Sequence, residues 1–78
     1  MPQICFTGFK DSEKEKLRQL ANEIGFEVKE PVTKNLVILV MGDNAGPIKI
    51  AKAKAQGCTI FTEDAFMDYF RSKKTESS

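Results

Sequence analysis

The sequence predicts an α/β fold, a mostly parallel sheet with helices on both faces. Three observations carry that expectation. Four short apolar runs, each bounded by glycine, proline or a polar turn, have the length of strands. Three segments repeat apolar residues at helical spacing. The order is strand, helix, strand, strand, helix, strand, helix, and such alternation stacks helices on a sheet.

Each element follows from its residues. Ile4-Cys5-Phe6-Thr7 is an apolar run of the kind a strand covered on both faces produces, and Gly8 ends it. Ser12 followed by Glu15 has capping-box spacing, and Leu17, Leu20, Ala21 and Ile24 then line one helical face up to Gly25. Residues 26–29 alternate as a strand with one exposed face, and Pro31 stops it. Residues 36–41 contain no polar residue and are expected to be the most buried strand.

After a glycine-bounded loop at residues 42–46, Pro47 suits the first position of a helix running to Gln56. Ile50, Ala53 and Ala51 are its inward candidates, and Gly57 is its cap. Residues 58–61 form the fourth strand, and Thr62 caps a third helix in which Glu63 and Asp64 complement the dipole. Phe66, Tyr69 and Phe70 recur there at packing intervals. The domain is expected to span residues 1–71, with a polar, frayed tail at 72–78. Only six residues separate the second and third strands, which locally favours a hairpin over a parallel crossover.

Composition narrows the function. With 78 residues the chain makes one domain, and a formal net charge of +1 does not suit coating nucleic acid by bulk attraction. Residues 30–57 nevertheless carry four basic and two acidic groups, the one local surplus of positive charge. The chain has no histidine, the commonest general base near neutral pH, so no enzyme is expected. Asp11, Asp43 and Asp64 fall on different segments without metal-ligand spacing, and neither metal nor cofactor is expected. No apolar run approaches the about 20 residues that span a bilayer. The amino terminus lacks the basic and apolar regions of a secretory signal, so an intracellular location is expected. Cys5 and Cys58 lie among apolar residues and are expected to be free, buried thiols, with a disulfide or metal use as the alternative.

The order of motifs resembles the BRCT domain, the breast-cancer-susceptibility C-terminal module of DNA repair and replication proteins. The likeness rests on Phe6-Thr7-Gly8, the helix closing at Gly25, Val32-Thr33-Lys34 before the apolar run, and Gly46 to Lys49. It continues through Lys52-Ala53-Lys54, Gly57 and Ile60-Phe61-Thr62-Glu63-Asp64-Ala65-Phe66. It is most similar to the subtype in NAD-dependent DNA ligases and the large subunit of replication factor C. Many family members carry a glycine pair where this chain has Gly25-Phe26, and a tryptophan where it has Phe66; the ligase-like subtype tolerates phenylalanine there.

The resemblance implies a four-stranded parallel sheet in order 2-1-3-4, with helices 1 and 3 on one face and helix 2 on the other. The link between strands 2 and 3 then passes beneath strand 1. It also implies a phosphate pocket at Thr7, Gly8 and Lys49, which in the family holds phosphoserine or phosphothreonine, or a DNA 5′ phosphate in the replication factor C type. The chemistry is suited to this. A threonine hydroxyl donates to phosphate, a glycine amide permits close approach, and a helix amino end with a lysine in its first turn favours an anion. The plainer reading leaves Thr7 and Gly8 as turn residues and Lys49 as a solvated side chain. Lys14 and Lys52 are candidate DNA contacts, Lys14 by its distance before Gly25 and Lys52 because it shares the direction of Lys49 better than Lys54 does. A DNA-end module is the leading expectation, with a repair or replication protein as further partner, and a phosphopeptide or protein-interaction module is the alternative. The compartment would be the cytoplasm for a bacterial or viral protein and the nucleus for a eukaryotic one.

Overall fold

The computed structural model describes the backbone of residues 1–77 and the side chains of residues 1–74. Its elements are β1 (Gln3–Thr7), α1 (Asp11–Glu23), β2 (Glu27–Val28), β3 (Leu36–Met41), α2 (Pro47–Ala55), β4 (Thr59–Thr62) and α3 (Glu63–Ser77). The four strands form one parallel sheet in the order β2-β1-β3-β4. The β1-to-β2 and β3-to-β4 crossovers step in opposite directions from the sheet centre. Because parallel crossovers are right-handed, α1 and α2 fall on opposite faces.

Two cores result. Ile4, Phe6, Ile38 and Val40 pack with Leu17 and Ala21 of α1 and Phe66 of α3. On the other face Cys5, Leu36 and Leu39 pack with Ala53 of α2, and Ile50 lies half-buried beside them. Ala51, the third inward candidate, is exposed because it is turned about 100° from Ile50. Phe66 is fully buried, edge-on to Phe6 at 5.3 Å.

The β2-to-β3 link is a crossing rather than a hairpin. Residues 29–35 reach about 25 Å when extended, enough to step past β1, about 10 Å between the flanking strands, and return to the start of β3. The two-residue length of β2 shortens that return. The link is secured from the α2 side: Cys5 Sγ donates to the Glu30 carbonyl at 3.3 Å, Gln56 Nε2 donates to the Thr33 carbonyl at 2.6 Å, and Thr33 Oγ1 donates to Gln3 Oε1.

Several boundaries differ from expectation. α1 is flanked by Lys10, not Ser12, and Glu13 rather than Glu15 reaches back, its Oε1 accepting from the Lys10 amide at 3.2 Å. The expected spacing is thus used two residues earlier, and without an accepting cap side chain. Phe26 and Cys58 fall outside their strands for a shared reason. Gly25 and Gly57 adopt φ of 87° and 81°, and the next amide in each case turns back to its helix, Phe26 to Ala21 at 3.0 Å and Cys58 to Ala53 at 2.9 Å. Cys58 is also half-buried rather than buried, although both cysteines are free.

The apolar run of β3 is interrupted in burial at Val37, which is 45% exposed. Gln3 pairs with Leu36 and Ile4 with Ile38, so Val37 is the extra residue of a bulge. The segment expected to fray from residue 72 is helical to Ser77, with the Lys73 and Lys74 ammonium groups near the Tyr69 and Phe70 rings and Lys74 3.8 Å from Glu23. Ser78 lies outside the described residues.

Candidate phosphate site

The carboxyl end of β1 is where the chain brings its loops together, as parallel sheets do. Thr7 follows Cys5 by two residues, so strand alternation turns its side chain toward the α2 face, where it is half-buried. Gly8 has φ of 83°, and a Cβ on it would lie 2.2 Å from the Ala45 nitrogen. Only glycine meets both conditions. The loop after β3 is docked on this turn backbone to backbone: the Gly42 amide donates to the Thr7 carbonyl at 2.8 Å and the Asn44 amide to the Gly8 carbonyl at 3.2 Å. That loop leads into α2, so the amino end of α2 is held against Gly8.

The start of α2 is built differently from the other two helices. Gly46 supplies no side-chain cap, Pro47 occupies the first turn, and that turn has no acidic residue. α1 begins with Asp11 and Glu13, and α3 with Glu63 and Asp64 beneath a Thr62 Oγ1 that accepts from the Ala65 amide at 3.2 Å. The helix dipole of α2 is therefore left without an internal carboxylate.

Lys49 sits in this first turn, and its Nζ donates to the Glu30 carbonyl at 3.1 Å. Lys14, in the first turn of α1, donates to Glu30 Oε2 at 2.6 Å, with its side chain 23% exposed. Two lysines singled out in the sequence are thus brought to one residue of the crossing link, and Lys14 is not a fully solvated side chain. The hydrogen bond from Lys14 holds the Glu30 carboxyl below its ordinary range, with the Lys49 charge adding to the effect. Burial pushes the Cys5 thiol up, against the opposing pull of Lys49 and Lys14. That leaves Cys5 a packing residue rather than a nucleophile. Lys52 is exposed one turn further along α2.

Sequence reasoning missed Glu30, which it passed over as the first residue of the link between the second and third strands. Its signal lay in the topology, since a link passing beneath β1 has to approach Cys5. It also missed an open cleft of about 380 Å³ on the other side of Gly8, lined by Lys10, Glu13, Asp43, Glu63 and Asp64 among others. Asp43 and Asp64, on distant segments in sequence, share this cleft. Among the described residues no group of three or more candidate ligands is placed to hold a metal ion.

With this geometry in hand, comparison with known proteins places the chain. The family model for the BRCA1 C Terminus (BRCT) domain matches residues 2–70. The chain belongs to the BRCT family. Among curated relatives it is 38% identical over 74 residues to a DNA ligase of Desulfovibrio desulfuricans, which covers 95% of this chain and 10% of the relative. It is 38% identical over 68 residues to replication factor C subunit 1 of Drosophila melanogaster, covering 86% of the chain and 7% of that protein. A DNA ligase of Pseudothermotoga lettingae is 31% identical over 62 residues, covering 80% of the chain and 9% of the relative. The chain therefore spans a tenth or less of each of these BRCT relatives. Both kinds of protein that the motif order resembles, DNA ligase and replication factor C, occur among them.

Proposed function

We propose that this BRCT domain is a non-catalytic DNA-end module of replication or repair. It holds a 5′ phosphate between Thr7, Gly8, the amino end of α2 and Lys49, with Lys14 and Lys52 directed to the adjoining duplex. The observation that carries the reading is the start of α2, a helix end without acidic residue or side-chain cap, seated on Gly8 and carrying Lys49. The kinds of relative support the DNA setting, since their names are those of a ligase and a replication factor. Such a module works where DNA is handled, in the cytoplasm of a bacterium or the nucleus of a eukaryote.

A second reading, a phosphopeptide or protein-interaction module, draws on Ile48, an apolar side chain 76% exposed next to Lys49. One experiment separates them. Affinity is measured for a 5′-phosphorylated duplex and its 5′-hydroxyl counterpart, with wild type and Lys49→Ala, across salt concentrations. The DNA-end reading expects wild type to prefer the phosphorylated end and Lys49→Ala to lose that preference. Equal binding of both ends by wild type sinks it and favours the protein partner.

A further inference from the structure

The proposed site contains its own anion. Glu30 lies on the link beneath β1, with its carboxylate on Lys14 at 2.6 Å while its backbone carbonyl accepts from Lys49 at 3.1 Å and from Cys5 Sγ at 3.3 Å. Lys14, Lys49 and Arg18 all bear electrostatically on this carboxylate. Glu30 is the only acidic residue between Glu27 and Asp43. Its side chain is 61% exposed and packs in neither core.

We infer that the Glu30 carboxylate is an internal competitor for the phosphate. It occupies the Lys14 ammonium in the free protein and has to release it when a phosphate binds beside Lys49. This deepens the proposed function and rests on it. The carboxylate weakens binding in two ways. Lys14 is already neutralised, so its charge is gained only at the loss of an existing ion pair. A retained negative charge also repels an incoming terminal phosphate, which bears close to two negative charges. The contacts that hold the link do not depend on this carboxylate, since both the Lys49 and the Cys5 bonds go to the backbone carbonyl. Glu30→Gln therefore removes the competing charge and leaves the anchoring of Lys49 in place.

The test uses the 78-residue chain with the 5′-phosphorylated and 5′-hydroxyl duplexes at fixed salt, and amide spectra to verify that each variant is folded. Glu30→Gln is expected to raise affinity for the phosphorylated duplex about 3- to 10-fold, and for the hydroxyl duplex by less. Lys14→Ala is expected to cost little in wild type and several-fold more in the Glu30→Gln background, because only there is the Lys14 charge unspent. Glu27→Gln, which breaks the neighbouring Glu27–Lys29 pair, is the control and should shift both duplexes equally and slightly.

The outcomes are distinct. If wild type prefers the phosphorylated end and Glu30→Gln leaves affinity unchanged or lowers it, Glu30 positions Lys14 and the competitor is overturned while the DNA-end reading stands. A Glu27→Gln effect as large and as phosphate-dependent as that of Glu30→Gln also overturns it. If wild type shows no preference and Glu30→Gln acquires one, the competitor stands and the wild-type function falls. If neither variant nor wild type distinguishes the two ends, both fail together.

Discussion

Gly8 separates two regions of opposite character. On one side the uncapped start of α2 and Lys49 bring positive charge to the link beneath β1, where Lys14 is paired with Glu30. On the other, Glu13, Asp43, Glu63 and Asp64 line a cleft that Lys10 only partly balances. Both regions sit at the carboxyl ends of the same parallel strands, where fold alone would make either a ligand site. Charge decides between them for an anion. On the proposed function, a domain with a net charge of only +1 would direct phosphate by separating its charges across one glycine rather than by a surplus.

The largest effect that bears on this contrast is structural. α3 carries Glu63 and Asp64 and is pinned to the sheet by Phe66, which is fully buried against Phe6. Phe66→Ala is expected to cost about 3 to 5 kcal/mol in denaturant unfolding, and a loss below about 1 kcal/mol would mean that α3 is not anchored there. On the basic side, Lys49→Ala should weaken binding of a 5′-phosphorylated duplex about ten- to a hundred-fold, corresponding to roughly 1.5 to 3 kcal/mol for a charge-assisted bond. Thr7→Val should cost about 1 kcal/mol in the same titration. The two losses should not add, because in the proposed site both groups touch one phosphate. A fully additive double variant would place them on different ligand groups.

The acidic side gives a smaller effect. Asp64→Asn removes a carboxylate from the cleft, and binding of both duplexes should rise by no more than about 2-fold and lose that gain at high salt. A gain confined to the phosphorylated duplex would mean that the phosphate lies in the cleft. Smallest is the pH dependence of stability. The Glu30 carboxyl has a lowered pKa in the folded state, so its contribution is present above the unfolded glutamate range of about 4.3 and is lost as pH falls through the lower folded value. Denaturant unfolding at near-neutral and acid pH should show a slightly smaller acid loss for Glu30→Gln than for wild type. An equal loss would mean that the Lys14–Glu30 pair adds nothing in solution.

The sequence carried the element order because apolar runs and glycine stops are local signals. Gly25 and Gly57 were legible as caps, yet the strand starts after them were not. The amides of Phe26 and Cys58 turn back to their helices, and no propensity of either residue encodes that. The bulge that exposes Val37 was hidden for a similar reason, since six apolar residues in a row carry no mark of which one is extra. Sheet order came from the family likeness, because a seven-residue link suits a hairpin until pairing on both sides of β1 is known. Of the candidate site, Gly8 and the start of α2 were readable from glycine and proline. Glu30 was not, because its importance arises from a contact sixteen residues away with Lys14.

The proposed function puts phosphate on the α2 side of Gly8. The most direct measurement is an amide chemical-shift titration of the 78-residue chain with a 5′-phosphorylated duplex, with the 5′-hydroxyl duplex as reference. Phosphate-dependent shifts should centre on Gly8, Ile48 and Lys49 and extend to the Glu30 segment, with Asp43, Glu63 and Asp64 little changed. Phosphate-dependent shifts centred on Asp43, Glu63 and Asp64, with Ile48 and Lys49 unmoved, would contradict the claim.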